Sequence, residues 1–157
     1  MNVFITTGTY DFLKKIESKY PKELILTLVN STGALLFHET PGKTVFQAPR
    51  KYDIFAAEGN LTKEGFVVMN HLPVTDEGRP LIEYEIKKGV KAFGTTTGLK
   101  AMRALRPGST NTYIFMTVWV NVASYDDRKG TNHPFVNLSD PIILAGPAYI
   151  HTYSITE

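Results

Sequence analysis

A chain of 157 residues is long enough for one well-cored domain, and 43% hydrophobic with 20% charged residues is an ordinary globular balance. A formal net charge of +2, with the basic residues scattered, argues against a nucleic-acid partner. The absence of cysteine removes disulfides, thiolate nucleophiles and Cys-built metal sites and fits a cytoplasmic location, while the start MNVFITTGTYDF lacks a signal-peptide plan and no apolar run nears the ~20 residues of a membrane span.

Residues 1–60 read as an N-terminal extension with structure of its own. Val3–Thr7 is a short strand, and Asp11 to Lys19 an amphipathic helix with Phe12, Leu13 and Ile16 inward, stopped by Pro21. Leu24–Val29 and Ala34–Glu39 flank Asn-Ser-Thr-Gly, a hairpin signal. After the turn at Thr40–Lys43, Thr44–Gln47 is a short strand. Pro49 opens a short helix, Arg50 to Ala57.

Residues 61–157 read as the principal domain. Gly65–Val74 is a strand apolar on both faces. Arg79 to Lys88 is helical, with Leu81, Ile82, Tyr84 and Ile86 as an imperfect stripe and Gly89 as its end. Leu99–Arg106 and Thr112–Val120 are strands joined by Pro-Gly-Ser-Thr-Asn. Ala123–Arg128 is a short helix, and Ala148–Ile155 the last strand. Gly130, Pro134, Pro141, Gly146 and Pro147 exclude a long helix between them. The sequence shows no internal repeat. The order β-α-β-β-α-β is the split βαβ, ferredoxin-like plan, an α+β antiparallel sheet with helices on one face. The other face needs cover, from a second subunit or from the N-terminal residues; the cost of leaving large side chains bare, roughly several kcal/mol, favours a homodimer.

One residue breaks the apolar pattern. Alternation puts Phe66, Val68, Asn70, Leu72 and Val74 on one strand face, and an unpaired buried amide costs roughly 1–3 kcal/mol. Asn70 therefore either holds a neighbouring loop or meets a ligand. The histidines (His38, His71, His133 and His151) form no H-x-x-x-H or H-E-x-x-H pair, so a protein-built zinc site is not expected. His38 reads as a partly exposed residue at a strand end, and His151 as a surface residue. His71 points away from Asn70. His133, in Gly-Thr-Asn-His-Pro, is the best-placed histidine for an axial haem contact, although a plain loop residue is the simpler reading. No nucleophile elbow, dinucleotide fingerprint or P-loop occurs. Trp119 shares a face with Tyr113, Phe115 and Thr117 and reads first as a core or dimer-interface residue.

The blocks TTGTYDFLKKI, LLFHETPGKTVFQAP, VVMNHLPVTDEGRPL, AMRALRP with TYIFMTVW, and GPAYIHTYSITE run nearly end to end. Together they resemble the group of the antibiotic-biosynthesis-monooxygenase (ABM), or dimeric α/β-barrel, superfamily that holds the Isd-type haem-degrading monooxygenases and the staphylococcal TRAP proteins. The resemblance implies a ferredoxin-like fold and a dimer whose two sheets close into a barrel, with haem as substrate and cofactor and an external electron donor. It matches Asn70 to the pocket asparagine of the haem-degrading enzymes. Their functional tryptophan matches Arg128, not Trp119, and their iron-ligating histidine falls nearer Leu138 than His133. The haem reading that follows places Asn70 as the catalytic amide and His133 as the iron ligand, with Phe66, Val68, Leu72 and Trp119 as apolar walls. It calls for a void between the sheets large enough for a porphyrin. The alternatives are a non-catalytic, TRAP-like regulatory or stress protein, and a cofactor-free monooxygenase acting on a smaller substrate.

Overall fold

Strand and helix periodicities alternate along the chain, and the computed structural model, which describes residues 1–128 and 142–156, resolves them into eleven elements. These are β1 (Asn2–Gly8), α1 (Tyr10–Lys19), β2 (Leu24–Asn30), β3 (Gly33–Thr40), β4 (Arg50–Gly59), β5 (Phe66–Pro73), α2 (Arg79–Phe93), β6 (Leu99–Pro107), β7 (Thr112–Trp119), α3 (Val122–Arg128) and β8 (Tyr149–Thr156).

Every pairing is antiparallel, and the order β1-β3-β2-β8-β5-β7-β6-β4 closes on itself as a barrel. Cut at its two seams, β2–β8 and β4–β6, the barrel gives two sheets with one spatial order, β4-β1-β3-β2 and β8-β5-β7-β6. Each is a split βαβ sheet, so the α+β ferredoxin-like architecture is present twice. The repeat lies in topology and leaves no trace in the sequence. Of the two covers weighed for the inner sheet face, residues 1–60 provide it, and one chain completes the barrel without a second copy.

The lumen is filled from both halves. Ile5, Leu26, Leu28 and Phe37 meet Val67, Met69, Met116 and Val118, all at most 1% exposed. Each such side chain contributes roughly 1.5–3 kcal/mol on burial, so the halves stabilise each other. Arg103, on the strand face of Ala101 and Leu105, ion-pairs with Glu39 across the first half (Nε to Oε1, 2.7 Å) and donates from Nη1 to the Glu58 and Met102 carbonyls. Helices α1 and α2 cover the outer faces. On α1, Thr9 caps the N-terminus by accepting from the Phe12 N–H, and Leu13 is the buried contact. Gly65 launches β5 at φ 141°, where a Cβ would lie 2.8 Å from Val118 Cγ1, so a side chain is excluded there.

Four local expectations change. Arg50 to Ala57 is not helical; it is β4, paired with β1 and β6, with a register shift between Ile54 and Ala56. Tertiary pairing on both edges outweighs the helix-forming Ala-Ala-Glu. Thr44–Gln47 is not a strand. Helix α2 runs through Gly89 to Phe93, because Ile82, Ile86, Val90 and Phe93 make a stripe on the sheet that outweighs a mid-helix glycine costing about 1 kcal/mol. Leu81 and Tyr84, assigned to that stripe, are exposed, as is Phe12 on α1.

Candidate functional site

The outer face of β5 and β7 carries the unusual polar residue. Val68 and Leu72 of β5 and Tyr113, Phe115 and Trp119 of β7 pack beneath Ile82, Ile86 and Phe93 of α2. Asn70 sits between Val68 and Leu72, is 5% exposed, and lies opposite Phe115 in the β5–β7 register. Its Nδ2 donates to the Phe115 carbonyl at 3.4 Å, at the long limit for such a bond. Among the described residues that is its one hydrogen bond, so a second N–H and the Oδ1 acceptor remain available.

Aromatic rings surround this face. Phe93 meets Phe115 edge-on at 5.7 Å and Trp119 at 6.4 Å. Tyr125 of α3 lies 5.8 Å from both Phe66 and Trp119. Trp119 is 2% exposed and its Nε1 donates to Thr117 Oγ1 at 2.8 Å, so the indole is a satisfied core group. Phe66 is half-buried at the edge, whereas Val68 and Leu72 form the floor. The described chain flanks the face on two sides. Tyr125 closes it at Trp119, and Ile143 joins the same cluster beside Val74, held by the Thr75 N–H donating to the Ile143 carbonyl at 2.8 Å. Residues 129–141 join these flanks; His133 and Leu138 fall among them and lie outside the described residues.

A charged network pins α2 at the other end of this face. Arg106 Nε donates to Glu83 Oε2 at 2.9 Å, Arg106 Nη2 bonds the second oxygen, and the Tyr113 hydroxyl donates to the same carboxylate. The Arg106 hydrogen bonds hold the Glu83 carboxyl below the usual carboxylate range. Burial, with the bond to Glu83, pushes the Tyr113 phenol up to about 12. These groups are fully partnered and fixed in one charge state near neutrality, so they position the helix instead of moving protons.

The other histidines lie elsewhere. His38 is not partly exposed but fully buried: Nδ1 meets Thr44 Oγ1 at 3.0 Å, Nε2 meets Glu23 Oε1 at 3.1 Å, and Phe4 and Phe46 flank the ring. Folding of residues 40–49 over β3 closes it in. His71 and His151 face the lumen end of the barrel, His71 stacking on Tyr149 at 4.6 Å with His151 edge-on at 4.9 Å. No described imidazole shares the face of Asn70, and no group of three metal-ligating side chains occurs among the described residues. A porphyrin-sized void between the sheets is not found among the described residues, since the middle of the lumen is packed and Asn70 points away from it. Two alternating faces were readable on Gly65–Val74, but which of them faces inward depends on how the barrel closes. The cluster at the barrel end was missed for the same reason. Its signal was the odd-numbered row Tyr149, His151, Tyr153 beside His71.

No family model matches the sequence. The chain is 26% identical over 127 residues to a heme-degrading monooxygenase of Listeria monocytogenes, covering 81% of this chain and 76% of that one. It is 28% identical over 127 residues, with the same coverage, to the signal transduction protein TRAP of Staphylococcus aureus. A solved Listeria monocytogenes ferredoxin-fold protein, related to antibiotic biosynthesis monooxygenases, superposes with a TM-score of 0.82 at 26% identity over 99% of this chain and 94% of that one. The chain is thus similar to both groups named by its sequence blocks and has the ferredoxin-like fold of ABM proteins.

Proposed function

We propose that this protein is a cytoplasmic, haem-degrading monooxygenase-like protein that releases iron, with haem as substrate on the outer face of β5 and β7. The supporting observation is Asn70: a carboxamide 5% exposed on an apolar, aromatic-walled face, with one long hydrogen bond among the described residues. A buried amide with spare donor capacity is costly unless a ligand completes it. In this reading the free Nδ2–H of Asn70 would donate a hydrogen bond within the haem site. Phe66 edges the porphyrin, and Val68, Leu72 and Trp119 keep the floor apolar and dry. His133, which lies outside the described residues, would hold the iron, since no described imidazole shares this face. Bound iron supplies dioxygen chemistry, and an external donor supplies the electrons. Among the described residues no helix is long and apolar enough to cross a membrane.

Hemin titration with a Soret readout, followed by ascorbate in air, tests this. A saturable Soret band that decays with reductant is expected, and His133→Ala should abolish the band. Absence of any Soret shift overturns the reading. The second reading, a TRAP-like regulatory protein with this barrel and no iron ligand, is favoured by the lack of a described imidazole beside Asn70. It predicts no such band in the unmutated protein.

A further inference from the structure

The barrel has a second candidate site, at the end where β1 and β5 finish and β3, β4, β7 and β8 begin. Apart from the Arg103–Glu39 pair, lumen-facing side chains are apolar through the middle of the barrel. At this end they turn polar and enclose a cavity of about 310 Å3, which lies at the small end of ligand-sized spaces. Ile5, Met69 and Ile114 form its apolar depth, and Arg50, His71 and Tyr149 mark its rim. No aspartate or glutamate lines it.

Two groups there lack partners. His71 is 9% exposed, and its Nε2 is buried with no hydrogen bond among the described residues. An unmet imidazole nitrogen in such a place costs on the order of 1–3 kcal/mol. The ring is held in place, stacked 5° from parallel on Tyr149 with His151 edge-on, so it cannot turn to solvent without losing those contacts. Arg50 is exposed and makes no ion pair among the described residues. A lone guanidinium beside a neutral imidazole, with tyrosine hydroxyls and no carboxylate, is complementary to one negative charge. The flat aromatic rim and the small apolar depth suit a planar body.

We infer that this end of the barrel binds a small planar organic monoanion, an aromatic carboxylate, with Arg50 on the carboxylate, His71 Nε2 as its hydrogen-bond partner, and the ring against Met69 and Ile114. Arginine offers a planar fork that matches a carboxylate, and neutral imidazole can donate from Nε2. The site lies on the opposite sheet face from Asn70, so it stands independently of the haem reading.

Calorimetric titration of the full chain with benzoate tests the inference, with benzylamine as the cationic control and ring-nitrogen NMR of His71 as the local readout. Saturable benzoate binding, a shift of the His71 Nε2 resonance and no benzylamine binding are expected. Arg50→Gln, an exposed change that leaves the core intact, should weaken benzoate at least tenfold while leaving the hemin titration unchanged. His71→Phe should weaken it as well without altering the unfolding midpoint below that of Arg50→Gln by more than a few degrees. Three outcomes each overturn the proposal: no benzoate binding, equal binding of benzylamine, or affinity unchanged by Arg50→Gln. Loss of benzoate binding in Asn70→Ala, with Arg50→Gln unaffected, overturns it too by placing the ligand on the other face.

Discussion

Asn70 is a buried carboxamide whose one hydrogen bond among the described residues gives it little structural work to do, and under the proposed function its role is chemical. Its 3.4 Å bond to the Phe115 carbonyl adds little, since net contributions of ordinary hydrogen bonds are only about 0.5–1.5 kcal/mol and this one is long. A purely structural amide would be expected to engage both its donors and its acceptor at normal hydrogen-bond lengths. Asn70→Ala is therefore expected to change unfolding free energy by less than about 1 kcal/mol in urea titration. It should lower haem turnover at least tenfold while shifting hemin affinity only a few-fold. Parallel loss of turnover and affinity, or a large stability loss, would show that the amide is a structural group. The odd polarity of this position was legible in the sequence because alternation is a local property. The iron ligand proposed to accompany it was not, since no local pattern says which side chain from a distant segment shares a given strand face.

At the scale of elements, α2 is fastened at two points by different physics. Ile82, Ile86 and Phe93 bury an apolar stripe on the sheet, and Glu83 anchors to Arg106 and Tyr113 of β6 and β7. The sequence shows the helix but marks a stop at Gly89, because a glycine looks like an end until the residues beyond it are known to have a surface to cover. Exposed Leu81 and Tyr84 show the converse: apolar type alone does not identify the buried side. Glu83→Gln keeps the shape of the anchor and removes its charge, so it should destabilise by about 1–3 kcal/mol at neutral pH, the range for hydrogen bonds to charged groups. The folded carboxyl is held below its ordinary value of 4.5, so the folded chain binds fewer protons than the unfolded one across that interval. The anchor's contribution is thus full above about pH 4.5 and is lost as pH falls through the lowered folded value. Urea titrations of both proteins should differ at pH 7 and converge in acid; a gap that persists below pH 3 would mean the loss is steric, not electrostatic.

At the scale of the whole molecule, closure within one chain changes what residues 1–60 are. The hairpin of β2 and β3 and the strand β1 were legible from composition, and β4 was not, because its alternating Tyr52 and Ile54 compete with an Ala-Ala-Glu stretch and only pairing with β1 and β6 decides between them. Without that strand the second seam is invisible, and the first half looks like an appendage. In the barrel, Ile5, Leu26, Leu28 and Phe37 supply the surface against which Val67, Met69, Met116 and Val118 are dry. Removing residues 1–60 would also strip β8 and β6 of β2 and β4, leaving two open strand edges. A fragment of residues 61–157 expressed alone is therefore expected to lack a cooperative urea transition and to self-associate. Mixing it with a separately expressed fragment of residues 1–60 should restore the transition and a particle of the intact chain's mass, 17.5 kDa. A fragment 61–157 that unfolds cooperatively as a monomer would show that the second half needs no cover from the first, and that the lumen contacts between halves are incidental to stability.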